Sequence, residues 1–257
     1  MLKIRMEDQI LIAQLDDGVT NAVTLDTLKT LKSAIDQVND QEEIKGMILT
    51  GTGRFFSSGF SLPLFAGFPD GEAVVEFFEF EEQVLLDLFT CKKPVISAIN
   101  GHCAAMGLIM SMAADYRLVV DHPKLKLGMS EIKIGLALSL AQEAVVRFGV
   151  ANDLRYRDLM YFGQMVNGAT ALENKIVDEC LDPEALLPRA KEIIRLWIDT
   201  PNRPFIPIKA AFRRDVAQRI AGELAVGEWK APLGAILMDP QVKATLEFVH
   251  STMVAPK

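Results

Sequence analysis

The sequence predicts an α/β protein, with a strand-and-helix body followed by a helical C-terminal region. Three observations predict it. Short β-branched runs alternate with helix-period patterns through the first half, which favours parallel strands bridged by helices. From about Leu140 onward the pattern turns mainly helical. No Ser/Gly-rich linker separates the halves, so the second reads as an extension of the first.

The elements follow in order. Leu2 to Met6 and Ile10 to Leu15 read as two strands around a polar turn at Glu7–Asp8. Thr24 to Asn39 reads as a helix, because Leu25, Leu28, Leu31, Ile35 and Val38 recur at three- and four-residue steps. Lys45 to Leu49 is a strand that ends in the breaker Thr50-Gly51-Thr52-Gly53. Residues 71 to 90 form a long helix rich in Phe and Glu. Pro94 to Ile99 is a strand, Ala105 to Ala113 a helix, Tyr116 to Val120 a strand, and Leu125 to Gly128 a short extended piece. Leu186 to Ile198 is a clear amphipathic helix, and Pro201, Pro204 and Pro207 mark the helix boundary after it. The domain reading is a core over 1–200 and a helical region over 201–257, packed against the core or a neighbouring subunit.

Bulk composition excludes several classes. Half of the 257 residues are hydrophobic and 24% are charged, enough for a sizeable core. The net charge of −7 gives no basic footprint for nucleic acid. Cys91, Cys103 and Cys180 form no CxxC pair, which argues against a disulfide framework or a zinc knuckle and suits a reducing, cytoplasmic setting. The first residues lack the apolar stretch of a signal peptide. No uninterrupted apolar run approaches the ~18 residues of a membrane span.

Two stretches are suited to present backbone to a ligand. Gly53-Arg54-Phe55-Phe56-Ser57-Ser58-Gly59-Phe60-Ser61-Leu62 follows a strand, and Asn100-Gly101-His102-Cys103-Ala104-Ala105-Met106-Gly107 joins a strand to a helix. The first N–H groups of a helix lack internal partners, and they favour an anion. One N–H from each stretch would bracket a single oxygen as an oxyanion hole. Read singly, each is first a plain strand-to-loop turn. A third stretch, Leu127 to Leu136, sets Glu131 among apolar residues, where desolvation would raise its pKa and suit it to act as a base. Read alone, it also fits a surface glutamate paired with Lys133. Neither nucleotide-binding glycine pattern is present.

Taken together, in this order and spacing, the three stretches resemble the crotonase superfamily, also called the enoyl-CoA hydratase/isomerase family. The most telling runs are Pro94-Val95-Ile96-Ser97-Ala98-Ile99-Asn100-Gly101 and Ala114-Asp115-Tyr116-Arg117-Leu118, supported by Gly53 to Leu62, Ser130 to Gly135 and Gly163 to Asp178. The resemblance implies a crotonase-type (ClpP-like) ββα superhelix with a helical C-terminal trimerisation or capping region. It implies a homotrimer or dimer of trimers, and an acyl-CoA thioester substrate with no separate cofactor, coenzyme A being part of the substrate. It places the oxyanion donors at the backbone of Phe60 and Met106. Val19, Thr20, Ser58, Gly59, Leu62, Ala105, Ile109 and Leu136 match positions along the acyl and CoA path. His102, Cys103, Phe65 and Phe68 are further candidates for the acyl pocket.

The acid/base positions separate the subfamilies. Hydratases use two glutamates, and here one is matched by Glu131 while the other is Ile109. This pattern resembles the Δ3,Δ2-enoyl-CoA isomerases. Dienoyl isomerases carry an aspartate where this chain has Ser139. The family's GGG run reads Ala105-Met106-Gly107, which implies a reshaped acyl pocket. The expected reaction is therefore a shift of an enoyl-CoA double bond by Glu131. The alternatives are hydration, thioester hydrolysis, decarboxylation, or a non-catalytic binding role.

Overall fold

The first two strands make a hairpin. β1 (Leu2–Glu7) and β2 (Ile10–Leu15) pair antiparallel, with Glu7 opposite Ile10. The two turn residues, Asp8 and Gln9, sit at φ 53° and 65°, the mirror-image turn whose twist matches that of the flanking strands. α1 (Leu25–Asp40) follows, started by Thr24, whose side chain accepts the Thr27 N–H. The fold is known from a computed structural model that describes residues 1–254. Positions 255–257, the end of the expected C-terminal region, lie outside the described residues.

A strand–strand–helix unit then repeats three times. β3 (Gly46–Gly51) leads to the short β4 (Phe55–Ser57) and then to α2 (Leu62–Ala66) and α3 (Gly71–Phe89). β5 (Val95–Ile99) leads to β6 (His102–Ala104) and α4 (Met106–Ala113). β7 (Tyr116–Val120) leads to β8 (Leu127–Gly128), a 3₁₀ turn over Glu131–Ile134, and α5 (Leu140–Gly149). The remainder is α6 (Asp153–Phe162), β9 (Met165–Val166), α7 (Gly168–Glu173), β10 (Glu179–Leu181), α8 (Leu186–Ile198), α9 (Phe205–Val226), α10 (Lys230–Met238) and α11 (Pro240–Val254).

The first strand of each unit joins a six-stranded sheet of order β1-β2-β3-β5-β7-β10, parallel from β2 onward. The second joins a four-stranded sheet of order β4-β6-β8-β9. This is the expected ββα superhelix. Side-chain alternation along β2 shows how the large sheet is covered. Leu11, Ala13 and Leu15 face the main core shared with α1, α3, α4 and α5, whereas Ile10 and Ile12 face a second core closed by Ala190, Ile193, Ile194 and Ile198 of α8. All eight residues of α4 are buried, so it runs through the centre of the molecule.

The structure adds elements that the sequence pattern did not show. β4, β6 and β9 have two or three residues each, too few for a period of two to register. β10 lies in the part read as helical, yet it completes the large sheet beside β7. α9 is anchored by Lys209 and Arg213, both buried, which reach Asp115 at 2.6 and 2.8 Å. The same carboxylate accepts the Val95 N–H, so its burial is well compensated. α10 packs on α3, and α11 on α2 and the 3₁₀ turn. Among the described residues no helix is long and apolar enough to cross a membrane.

Candidate active site

The loop after β4 is held by its own backbone. Ser58 N–H donates to Thr20 O, Ser61 N–H to Val23 O, and Gly59 N–H to Ser57 Oγ, while Gly59 O accepts the Val23 N–H. Ser58, Gly59 and Ser61 have thus spent their backbone N–H groups, and the Phe60 N–H has no partner among the described residues. The Phe60 ring packs among Phe65, Phe77 and Phe78, with centroids 5.0, 5.5 and 5.9 Å away, which fixes its backbone.

The start of α4 supplies the second donor. Ala105 caps the helix without a side-chain hydrogen bond, so the first N–H groups stay open. Ala105 N–H donates to Gly128 O, whereas the Met106 N–H has no partner among the described residues. Gly59 joins the two stretches: at φ 98°, an added Cβ would lie 2.7 Å from Ala105 Cβ and 3.3 Å from Met106 N. Two unpaired donors therefore come together where only glycine permits the approach. Gly107 plays a similar part, since a Cβ there would meet Ser57 Cβ at 2.7 Å.

Ala105 itself sits at φ 51°, ψ −128°, a conformation that strains any residue with a Cβ. Replacing it by glycine would release that strain and add chain entropy to the unfolded state. The expected net effect of Ala105→Gly is a gain of about 1 kcal/mol, read as a higher denaturant midpoint.

Phe60 and Met106 both line a cavity of about 630 Å³. Val19, Thr20, Ser58, Phe60, Leu62, Ala105, Met106, Ile109, Glu131 and Leu136 all line it. Gly59 does not line it but shapes it from behind. His102 and Phe65 also line the cavity, while Cys103 does not; that thiol is fully buried in the core. Phe68 is likewise outside the lining and packs on Phe65 at 5.8 Å. Met106 is 1% exposed, so its side chain fills core space rather than the opening. The sequence reading missed Arg54, Lys126, Gln142, Leu233, Leu237 and Val249. The last three come from α10 and α11, which fold over the cavity of their own chain.

Glu131 opens the 3₁₀ turn and is 8% exposed. Its Oε2 is buried without a hydrogen-bond partner. Lys133 is exposed and forms no ion pair with it, so the reading of Glu131 as a paired surface glutamate does not hold. Burial pushes the Glu131 carboxyl up to about 6, against the opposing pull of nearby backbone N–H groups. It is mostly ionised at neutral pH and holds a proton more readily than a surface glutamate. Asp17 also lines the cavity, but its oxygens are taken by the Val19, Asn21 and Ala22 N–H groups. Ile109 lines the same cavity, is 2% exposed and is apolar. Among the described residues no metal-binding cluster of His, Cys, Asp and Glu is found.

Comparison with known proteins gives the family and the fold. A family model described as enoyl-CoA hydratase/isomerase matches residues 5–227. The chain belongs to the enoyl-CoA hydratase/isomerase family. The human mitochondrial delta3-delta2-enoyl-CoA isomerase shares its fold, with a TM-score of 0.90 over 98% of this chain and 97% of that one, at 19% identity. Enoyl-CoA delta isomerase 2, peroxisomal, of Arabidopsis thaliana is 36% identical over 162 residues, 60% of this chain. Crotonyl-CoA hydratase of Syntrophomonas wolfei is 28% identical over 174 residues, 67% of this chain. In both, the match spans 65% of the relative's own length. Isomerases and hydratases thus stand together among the relatives, and the choice between them falls to the residues in the cavity of this enoyl-CoA hydratase/isomerase family member.

Proposed function

We propose that this protein is an enzyme that shifts the double bond of a 3-enoyl-CoA to the 2-position. The observation that carries the proposal is the single available carboxylate among the described lining residues: Glu131 lines the cavity with an unpartnered oxygen, and Ile109 stands where the resemblance puts a second in hydratases. Glu131 removes a proton from C2. The electrons of that C–H bond form a dienolate, and the thioester oxygen becomes negative. The Phe60 and Met106 N–H groups hold that oxygen. The C3–C4 double bond then moves to C2–C3 as the protonated Glu131 returns its proton to C4. No cofactor enters the reaction, and coenzyme A is the carrier of the substrate.

The test offers the full chain a 3-enoyl-CoA and a 2-enoyl-CoA, with wild type beside Glu131→Gln. Isomerisation that disappears in the variant supports the proposal. Hydration of the 2-enoyl-CoA that survives in the variant would replace it with a hydratase whose water is held elsewhere. Binding with no turnover of either ester would replace it with a non-catalytic role.

Arg54 and Lys126 are exposed residues at the cavity, placed to meet the anionic part of a CoA ester. Lys126→Ala is expected to raise KM by about 2–5-fold, the scale of an exposed ion pair. Steady-state assays at low salt and at about 0.5 M salt check this, because screening should shrink the difference.

The C-terminal region over 201–257 is proposed to cap the core and to take part in a homotrimer or dimer of trimers. The exposed Leu196, Ile208 and Phe212 on α8 and α9 support an oligomer. A cytoplasmic setting belongs to the same proposal, supported by three free cysteines; the Arabidopsis thaliana relative is named as peroxisomal.

A further inference from the structure

Glu81 and Glu82 lie side by side in α3, and both are fully buried. They turn toward the start of α5. Glu82 Oε2 accepts the Ala141 N–H at 2.5 Å, and Glu81 Oε2 accepts Gln142 Nε2 at 3.1 Å. Each carboxyl has a second buried oxygen, Glu81 Oε1 and Glu82 Oε1, without a partner. α3 packs against α1, α4, α5, α9 and α10. Among the described residues no lysine, arginine or histidine from any of them pairs with either glutamate. The groups that face the pair are Gln142, the Ser139 hydroxyl, and the Leu140 and Ala141 N–H groups, all from α5 or its cap.

These contacts reach the cavity wall. The segment from Ser130 to Gln142 contributes Ser130, Glu131, Ile134, Leu136, Ala137 and Gln142 to the lining. At its front, Leu136 N–H donates to Glu131 O at 3.0 Å. At its rear, Gln142 Oε1 accepts the Ser139 N–H at 3.3 Å while its Nε2 is held by Glu81. The wall that carries Glu131 is thus tied at its far end to two acidic side chains that nothing neutralises.

We propose that Glu81 and Glu82 are positioning residues, a carboxyl clamp that fixes Gln142 and the start of α5 and so keeps Glu131 in place on the cavity wall. The inference rests on the reading of Glu131 as the base. Two buried carboxylates without a counter-ion do not both stay ionised, so the clamp carries a proton at neutral pH. Burial holds Glu81 well above the usual carboxylate range, with the Glu82 charge pushing the same way. Burial lifts Glu82 to about 7, opposed by the Ser139 hydroxyl and the α5 N–H groups.

The sign of the pH effect follows. Below the ordinary value of 4.5 both states are protonated and the pair exerts no pH dependence. As pH rises above it, the unfolded chain ionises while the folded pair keeps its proton, so stability falls. The fall continues to about 7 for Glu82 and levels off as the folded group ionises too.

The test measures the thermal midpoint of the full chain from about pH 5 to about pH 9, together with kcat and KM for a 3-enoyl-CoA. Glu82→Gln keeps an oxygen for the Ala141 N–H and cannot ionise. Its midpoint should fall less than that of wild type across this range, and its kcat should stay within about 3-fold. Glu82→Leu leaves the Ala141 N–H unmet, and its kcat should drop by about 10–100-fold, the scale of a misplaced catalytic group. Glu81→Met, which removes only the partner of Gln142, gives the same readout if Glu82→Leu does not fold. A wild-type midpoint that does not fall, a Glu82→Gln midpoint that falls as steeply as wild type, or wild-type turnover in both apolar variants overturns the clamp. The midpoint comparison needs no turnover, so it judges the clamp even if Glu131→Gln shows that the base is elsewhere.

Discussion

Replacing Glu131 by glutamine is expected to lower kcat for 3-enoyl-CoA isomerisation by about 10²–10⁴-fold, the usual contribution of a positioned acid/base group. The substitution keeps the size and burial of the side chain but removes its capacity to take a proton. KM should change by less than about 3-fold, because the interaction lost belongs to the transition state rather than to substrate binding. The wild-type pH profile carries a companion expectation. The base must be ionised to act, and burial holds its carboxyl at about 6. In the free enzyme kcat/KM should therefore fall on the acid side of about 6, roughly tenfold per pH unit. A profile whose acid limb lies near the ordinary glutamate value would show that Glu131 is not the group titrating.

The second large effect is expected at Gly59, a residue with no side chain to offer. A Cβ at this position would meet Ala105 Cβ at 2.7 Å and lie 3.3 Å from Met106 N, and the backbone is at φ 98°. Gly59→Val therefore forces the two donor stretches apart and strains the loop that presents the Phe60 N–H. Loss of one oxyanion donor lowers kcat by about 10²–10³-fold, or ~2.7–4 kcal/mol of barrier. The effect should appear in kcat, because the developing charge feels the donors more than the ground-state carbonyl does. Stopped assays with a 3-enoyl-CoA, alongside circular dichroism to confirm folding, check it. A folded Gly59→Val protein with wild-type kcat would mean that Phe60 and Met106 do not share one oxygen.

Much of the frame was legible in the sequence. α1 and α8 declared themselves because each buries one stripe of apolar residues at helical spacing, α3 as a long unbroken run rich in Phe and Glu, and β2, β3, β5 and β7 because each is a short apolar run bounded by turn residues. β4, β6, β8 and β9 were weakly legible or illegible, because two or three residues carry no period. They matter nonetheless, since the small sheet brings the Gly59 loop beside the start of α4. The candidate site was legible only as a set. Glu131 read by its neighbours suited a surface residue as well as a base, and it was the ordered resemblance over three stretches that singled it out. Leu233, Leu237 and Val249 could not be placed at the cavity from sequence, because roughly a hundred residues separate them from Glu131. Glu81 and Glu82 were equally hidden. In a helix rich in Phe and Glu, acidic residues are expected to face water, and nothing local marks these two as buried.

In the proposed reaction one carboxylate carries a proton both ways across a gripped thioester. A single turnover of 3-enoyl-CoA deuterated at C2, with the product read by mass spectrometry and NMR, tests this most directly. Deuterium that leaves C2 should appear at C4 of the 2-enoyl product, because Glu131 is nearly sealed from water and returns what it took. Product with only solvent hydrogen at C4 would contradict this, since the group returning the proton would then exchange with water within the turnover, as a carboxyl closed off against the bound thioester does not.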